Sequence, residues 1–142
     1  MLQIGDVAPA FTLPDADMEV FELESELGRR HIVLYFYPRA NTPGCTMQAA
    51  DFSDHEEDFT RLGCTVIGVS PDDCLTNAEF RDEHGLSLRL LSDEDGEVCR
   101  MYGVCCTRKV DGELRTSVAR TTFIIDKQGV IRHVLQIGRA HV

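Results

Sequence analysis

Continuous apolar runs alternate along the chain with segments in which apolar residues recur at helical spacing. The run HIVLYFYP at 31–38 is apolar, β-branched and aromatic and ends in proline, which predicts a buried central strand. From Cys45 to about Leu62, apolar and acidic residues fall largely on opposite sides, which predicts an amphipathic helix closed by Gly63. The apolar side of this helix comprises Ala49, Phe52, Phe59 and Leu62.

The same alternation continues through the middle of the chain. The segment CTVIGVSPDD at 64–73 predicts a second buried strand, and its last residues are suited to cap a helix around Leu75 to His84 that ends at Gly85. SLRLLSDEDG at 87–96 predicts a short strand. DEDGEVCRMYGV at 93–104 predicts a short helix whose acidic start suits the positive end of the helix dipole.

Two hairpins complete the predicted elements. Thr121 to Asp126 and Val130 to Gln136 form one of them, and FTLPDADMEVFEL at 11–23 forms a small edge hairpin. The order β-α-β-α followed by a hairpin predicts an α/β fold with a mixed central sheet flanked by helices. A chain of 142 residues with 43% hydrophobic residues can bury one continuous core, so we expect a single domain over residues 1–136.

The charge and the distribution of apolar residues limit the partners. A net charge of −10 disfavours non-specific binding to nucleic acid and to anionic membranes, because both repel an acidic surface. No apolar run approaches the roughly 18 residues of a membrane helix. The start MLQIGDVAPAF lacks the basic and apolar segments of a secretory signal, so we expect a cytoplasmic protein.

Six cysteines are spread along the chain, at positions 45, 64, 74, 99, 105 and 106. In a cytoplasmic protein of this length we expect reduced thiols rather than a disulfide framework, with one or two of them catalytic. Cys99, Cys105 and Cys106, with His84 or His133, are conceivable metal ligands. The chain contains no Cys-x-x-Cys pair, however, so we expect no metal site.

Cys45 stands where the amphipathic helix is predicted to begin, directly after a Pro-Gly pair. Unpaired backbone N–H groups and the positive end of the helix dipole favour an anion at this place, and therefore the thiolate, which is the nucleophilic form of cysteine. The alternative from position alone is a cysteine that packs as a small hydrophobic residue.

The residues around Cys45 favour the reactive alternative. Pro38, Thr42 and Cys45 form the pattern Pro-x-x-x-Thr-x-x-Cys within YFYPRANTPGCT. This segment resembles the active site of the peroxiredoxins, in particular the peroxiredoxin Q group, also called bacterioferritin comigratory proteins. Further segments resemble the same group in the same order: GDVAPAFTLPD, VIGVSPDD, LLSDEDGEVCRMYGV and RTTFIIDKQGVI. The resemblance implies a thioredoxin-like fold and a thiol-dependent peroxidase that uses neither metal nor haem.

The resemblance also implies a role for each matching residue. Cys45 would attack a peroxide oxygen and become a sulfenic acid. Thr42 would place its hydroxyl against the peroxide, and Pro38 would shield the thiolate from water. Arg120 would hold the thiolate and stabilise the departing oxygen, and the backbone N–H groups of Gly44 and Cys45 would complete the anion site. The structural alternatives are a helix cap for Thr42, a strand terminator for Pro38 and a solvated charge for Arg120.

The cysteine that would resolve the sulfenic acid is missing from its usual places. Many members of the group carry it five residues after the first, where this chain has Ala50, and others at a position that aligns near Arg81. We therefore expect an external thiol, from thioredoxin or a similar dithiol protein, to resolve Cys45. Cys74 is the internal candidate, because it is predicted in a turn. The resemblance implies a monomer. The competing function is a non-catalytic thioredoxin-like redox-sensing or binding domain.

The last six residues, 137–142, differ from this pattern. They can be encoded by ATC GGA AGA GCA CAC GTC, a string that matches a widely used short-read sequencing adapter, and the resemblance implies a C-terminal helix that this chain lacks. We expect 137–142 to be a non-native tail on a protein that naturally extends beyond Gln136. A natural stop codon directly after Val142 in intact genomic DNA would contradict this expectation.

Overall fold

A five-stranded mixed sheet organises the fold in the computed structural model, which describes residues 1–136, without the side chains of 107, 108, 115 and 116. The strands are β1 (Thr12–Pro14), β2 (Val20–Glu22), β3 (His31–Phe36), β4 (Cys64–Ser70), β5 (Arg89–Ser92), β6 (Cys105–Val110), β7 (Glu113–Val118), β8 (Thr121–Ile125) and β9 (Ile131–Gln136). The helices are α1 (Leu23–Glu26), α2 (Pro43–Asp54), α3 (Glu56–Arg61), α4 (Cys74–His84) and α5 (Glu97–Met101). The central order is β5-β4-β3-β8-β9, with β1-β2 and β6-β7 as separate two-stranded sheets.

The central strand β3 divides the core into two layers. It pairs in parallel with β4 and antiparallel with β8, so its residues are covered on both sides. Because side chains alternate along a strand, successive residues point to opposite faces. One face packs Ile32, Leu34 and Phe36 into a cluster that includes Cys99, Tyr102 and Phe123. The other face packs Val33, Tyr35 and Tyr37 into a cluster that includes Cys45 and Phe80.

The predicted strands, the mixed sheet, both hairpins and the helix after SPDD are confirmed. Asp73 caps α4 through its side chain, which accepts a hydrogen bond from the N–H of Thr76 at 2.7 Å. Gly85 ends α4 in the left-handed conformation with φ of 60°, which glycine adopts without the steric cost of a Cβ.

The prediction of one helix from Cys45 to Leu62 is wrong. The segment forms two helices, and His55 is both the last cap of α2 and the first cap of α3. Its N–H lies within hydrogen-bond distance of the carbonyls of both Asp51 and Phe52, so the regular ladder ends there. The break still lets Phe59 pack against Phe52, with ring centroids 6.0 Å apart. Leu62, expected on the buried side, is 73% exposed.

Two expectations about cysteines are corrected by the fold. Cys74 is the first residue of α4 rather than part of a turn, and Cys105 and Cys106 begin strand β6. Cys99 and Cys105 form a disulfide, against the expectation of reduced thiols. Only residues 102–104 separate α5 from β6, and this tight connection brings the two Cα atoms to 5.6 Å, within the range that a disulfide requires.

The remaining expectations concern membrane helices, metal sites and the end of the chain. Among residues 1–136, no helix is long and apolar enough to cross a membrane. The same part of the chain holds no cluster of three or more histidine, cysteine or acidic side chains that could bind a metal. The predicted non-native tail at 137–142, and the C-terminal helix expected to be missing, lie outside the described residues.

A buried hydrogen-bond network joins α4 to the central strands. The Tyr37 hydroxyl donates to Oδ1 of Asn77 at 2.7 Å, and Nδ2 of Asn77 donates to the hydroxyls of Ser92 and Ser70 at 3.1 and 3.3 Å. Asn77 is fully buried.

We expect Asn77→Ala to lower the free energy of unfolding by about 3 kcal/mol, because it leaves a cavity and unpaired polar groups. Urea titration measures this loss. Glu79→Ala, on the exposed side of the same helix, is the control and should change stability little.

Candidate active site

The start of α2 places Cys45 at the junction of a strand and a helix. Thr42 is the N-cap residue and Pro43 the first helical residue, where its fixed φ suits the helix and its missing N–H costs no bond. The first helical hydrogen bond runs from the N–H of Thr46 to the carbonyl of Thr42 at 2.8 Å. The N–H groups of Gly44 and Cys45 have no acceptor within the described part of the chain, so they are available to an anion.

The Cys45 thiol is shielded from bulk solvent. The residue is 2% exposed and belongs to a cluster with Tyr35, Tyr37, Ala40 and Ala49. The pKa of Tyr35 is raised well above its usual value, mainly by burial and further by the charges of Tyr37 and Cys45. Burial is also the main cause of the raised pKa of Tyr37. A tyrosine phenol is neutral at physiological pH, and the raised pKa values of Tyr35 and Tyr37 keep them so. The Cys45 side chain therefore packs in a cluster with two neutral aromatic side chains.

Arg120 contacts the turn that carries Cys45, although it lies 76 residues after Gly44 in the sequence. It lies between β7 and β8, and its Nη2 donates a hydrogen bond to the Gly44 carbonyl at 3.1 Å. Its Nε is buried and has no hydrogen-bond partner among the groups that the structure describes. The guanidinium group is thus fixed against the first turn of α2, with one buried donor free for a ligand.

Thr42 and Pro38 flank the same turn. The Thr42 hydroxyl donates to the carbonyl of Arg39 at 3.0 Å and does not cap the helix, so the helix-cap alternative is not what this side chain does. Pro38 is half-buried and directly follows β3 and Tyr37. Thr42 and Gly44 thus belong to the turn that carries Cys45, the tertiary structure brings Arg120 to it, and Pro38 lies seven residues before Cys45 in the sequence.

Cys74, the predicted internal partner, belongs to α4 and is not part of this turn. It is half-buried at the start of α4, a helix that packs on the same side of the sheet as α2 through Phe80. Cys74 was considered as the internal resolving cysteine because a turn can move, but it is a helical residue.

The loop before α2 is held by the half-buried carboxylate of Asp72. Oδ2 of Asp72 accepts a hydrogen bond from the N–H of Ala40 at 2.7 Å and another from the Ser70 hydroxyl at 3.0 Å. Ser70 in turn contacts Asn77 of the buried network. Side chains from β4 and the turn after it therefore fix the loop that carries Thr42.

Gln48 is a site residue that the sequence reasoning missed. It lies one turn after Cys45 on α2 and is 8% exposed, yet neither its Nε2 nor its Oε1 has a hydrogen-bond partner among the described residues. An unpaired buried amide is costly, which indicates that a ligand or water completes its bonds. A signal was present in the sequence, since a polar residue stands on the buried side of an amphipathic helix beside Ala49.

A mainly apolar groove of about 750 Å³ extends from this turn along α2 and α3. Its polar end is formed by Gly44, Gln48 and Arg120, and its apolar side chains are Met47, Phe52, Phe59 and Leu62. The groove therefore joins the buried donors near Cys45 to a surface that an apolar group can occupy.

The absence of a side chain at Gly44 lets the Arg120 guanidinium lie close to α2. A Cβ at this position would lie 2.8 Å from Nη1 of Arg120, so alanine must displace the guanidinium. We expect Gly44→Ala to slow peroxide reduction roughly ten- to a hundredfold, the cost of a small misplacement of a catalytic group. Stopped-flow oxidation by peroxide measures this. Unfolding should show no loss of stability, since alanine favours a helix over glycine.

The control for this prediction is a double variant. When Arg120 is already methionine, adding Gly44→Ala should cost little, because the group that it displaces is gone. Equal losses in both backgrounds would show that Gly44 acts independently of Arg120.

A buried cysteine at a helix start on an α/β sheet, with an arginine bonded to the carbonyl of the preceding residue, is the arrangement expected of a thiol-dependent peroxidase. The chain belongs to the AhpC/TSA family, whose model matches residues 4–134. The sequence-based resemblance to the peroxiredoxins and the predicted fold class are thereby confirmed.

Individual proteins that are similar to this chain carry names from the same family. Peroxiredoxin Bcp of Escherichia coli K12 is 40% identical over 133 residues, which cover 94% of this chain and 85% of that protein. Peroxidoxin BcpB of Mycobacterium tuberculosis superposes with a TM-score of 0.87 at 34% identity, covering 96% of this chain and 86% of that one. The bacterioferritin comigratory protein of Xanthomonas campestris gives a TM-score of 0.84 at 26% identity, covering 92% and 83% of the two chains.

Proposed function

We propose that Cys45 is the peroxidatic cysteine of this enzyme. The observation that carries the proposal is the position of Cys45, buried in the first turn of α2, where the Arg120 guanidinium binds the carbonyl of the preceding residue. The Cys45 thiolate attacks one peroxide oxygen and the O–O bond breaks. The electron pair leaves on the other oxygen, which takes a proton and departs as water or an alcohol. Cys45 becomes a sulfenic acid.

The neighbouring residues have complementary roles in this step. Arg120 stabilises the thiolate and the charge that develops on the departing oxygen, which its unpaired buried Nε supports. The free N–H groups of Gly44 and Cys45 act on the same charge. The Thr42 hydroxyl turns from the Arg39 carbonyl to the peroxide, and Pro38 excludes water from the thiolate.

The substrates in this proposal are hydrogen peroxide and organic hydroperoxides. The groove supports the second class, because it begins at Gly44 and Arg120 and continues into apolar side chains that suit an organic substituent. Alkyl peroxide reduction is the activity stated for the similar Xanthomonas campestris protein.

An external dithiol resolves the sulfenic acid in this proposal, and thioredoxin or a similar protein supplies it. Ala50 occupies the position five residues after Cys45, and Cys99 and Cys105 are joined to each other in the layer across the sheet. Such dithiol proteins operate in the cytoplasm, where we place this enzyme. It acts as a monomer, and its net charge of −10 supports the absence of nucleic-acid and membrane partners.

Trapping of sulfenic acid tests the assignment of Cys45. The protein is treated with one equivalent of hydrogen peroxide in the presence of a sulfenic-acid reagent, and the labelled cysteine is identified by mass spectrometry. Cys45 should be labelled first and far faster than Cys64 or Cys74. Equal labelling of these cysteines would contradict the enzyme mechanism and favour a non-catalytic redox-sensing domain.

The external resolution makes a separate prediction. Cys74→Ser should keep its full turnover with thioredoxin, because Cys74 takes no part. After one equivalent of peroxide without reductant, the intact protein should gain one oxygen atom and should form no new disulfide. Non-reducing mass spectrometry measures both. A disulfide between Cys45 and Cys74, or a large loss of turnover in Cys74→Ser, would contradict external resolution.

A further inference from the structure

Cys99 and Cys105 form a pair that the peroxide chemistry of Cys45 does not use. Their Cα atoms are 5.6 Å apart and they are bonded as a disulfide across the short connection between α5 and β6. Cys99 packs with Phe36 and Tyr102 in the layer opposite Cys45. The central sheet therefore separates this sulfur pair from the Cys45 thiol, and the pair cannot resolve a sulfenic acid there.

The two sulfurs differ in accessibility. Cys99 is 2% exposed, whereas Cys105 is half-buried and is followed by the exposed Cys106. A second cavity, of about 210 Å³, borders both disulfide cysteines and is also lined by Pro71 and Arg100. A thiol that approaches through this opening meets a disulfide whose more accessible sulfur is that of Cys105.

We propose that Cys99 and Cys105 are a second, reversible redox site of this protein, opened by a dithiol that attacks the sulfur of Cys105. The thiolate of the reductant bonds to Sγ of Cys105 and the Cys99–Cys105 bond breaks, so that its electron pair and a proton from solvent leave Cys99 as a thiol. The second thiol of the reductant then displaces Cys105, which also becomes a thiol. The reductant leaves as a disulfide, and two electrons have entered the protein.

The attack occurs at Cys105 because of access. Access decides which sulfur a thiolate can reach, and Cys99 is enclosed by the core. The departing Cys99 sulfur also stays next to Cys105, since the N–H of Val104 is hydrogen-bonded to the Cys99 carbonyl at 3.1 Å. The pair is therefore held together after reduction and can close again when an oxidised dithiol is offered.

The redox site also secures the start of a hairpin. Cys105 pairs with Val118 in the β6-β7 sheet, and the N–H of Ala119 donates to the carbonyl of Val104 at 2.8 Å. The disulfide thus ties α5 to the end of the hairpin that leads into β8. Opening it removes a covalent link and leaves only hydrogen bonds and packing at this point.

The test uses the Cys45→Ser variant, so that it does not depend on the peroxidase assignment. The folded protein is equilibrated in buffers of defined ratios of reduced to oxidised dithiothreitol, quenched in acid and alkylated. The alkylation of each cysteine is then mapped by mass spectrometry. A parallel arm replaces dithiothreitol with thioredoxin and its reductase, which distinguishes a small dithiol from a protein dithiol as the source of electrons.

Cys99 and Cys105 should become alkylated together, with the two-electron dependence of a tenfold change per roughly 30 mV. Cys64 and Cys74 should be alkylated at every ratio. Cys106→Ser should leave the transition unchanged, and glutathione should form a mixed disulfide at Cys105. Hydrogen exchange in β6 should be faster in the reduced form.

Four results would overturn the proposal. Two concern the Cys99–Cys105 pair itself: it is fully alkylated even in oxidised dithiothreitol, or neither reductant opens it while the protein stays folded. The other two are a disulfide that uses Cys106 in place of Cys105, and a mixed disulfide at Cys99. Identical hydrogen exchange of β6 in the two redox states would overturn its role at the hairpin.

Discussion

Replacing Cys45 by serine is expected to lower the rate of peroxide reduction at least about a thousandfold, the order of loss seen when a covalent nucleophile is removed. A serine hydroxyl is a far weaker nucleophile than a cysteine sulfur, so the variant should attack peroxide very slowly. The replacement is nearly isosteric within the buried cluster, so the fold should persist. Coupled turnover with thioredoxin and its reductase measures the loss, and circular dichroism checks the fold.

Cys64→Ser is the matched control for this result. Cys64 is half-buried at the start of β4, on the same side of the sheet as Cys45, and burial raises the pKa of its thiol. Its replacement should leave turnover essentially unchanged. Substantial activity in Cys45→Ser, or an equal loss in Cys64→Ser, would show that another thiol carries the reaction.

Replacing Arg120 by methionine is expected to lower the rate of Cys45 oxidation roughly a hundred- to a thousandfold, the range found when one preorganised donor to a developing anion is removed. Methionine keeps much of the apolar length of the side chain but removes its charge and all its N–H donors. The hydrogen bond to Gly44 and the unpaired Nε are lost together. Stopped-flow measurement of Cys45 oxidation isolates this step from the later reduction by thiol.

Lys127→Met controls for the loss of one positive charge. Lys127 is exposed in the turn between β8 and β9, and its replacement should change the oxidation rate little. If Arg120→Met slowed only the reduction of the sulfenic acid, or if both variants lost the same activity, Arg120 would have no specific role at the peroxide site.

Much of the fold could be predicted because its signals are local. The apolar run of β3, the caps Asp73 and Gly85, and the turn between β8 and β9 each depend on residues close together in sequence. The break at His55 was not predictable in this way, since the apolar spacing from Ala49 to Phe59 is compatible with one continuous helix.

Side-chain chemistry was harder to predict than the order of strands and helices. The pairing of Cys99 with Cys105 depends on the turn between α5 and β6, which composition does not reveal. The unpaired amide of Gln48 becomes apparent only when the surrounding side chains are known to provide no partner. Both features are properties of side chains that meet after the elements have packed.

The sequence by itself determined the order of strands and helices, the placement of Cys45 at a helix start, and the motif of Pro38 and Thr42 that precedes it. These follow from short-range periodicity, capping and steric rules. Only the tertiary structure decided that Arg120 contacts the turn of Cys45, and that the sheet separates Cys45 from the Cys99–Cys105 pair. The reason is physical: strand pairing between β3 and β8 sets which distant residues become neighbours, and the alternation of side chains along β3 sets which face each one occupies.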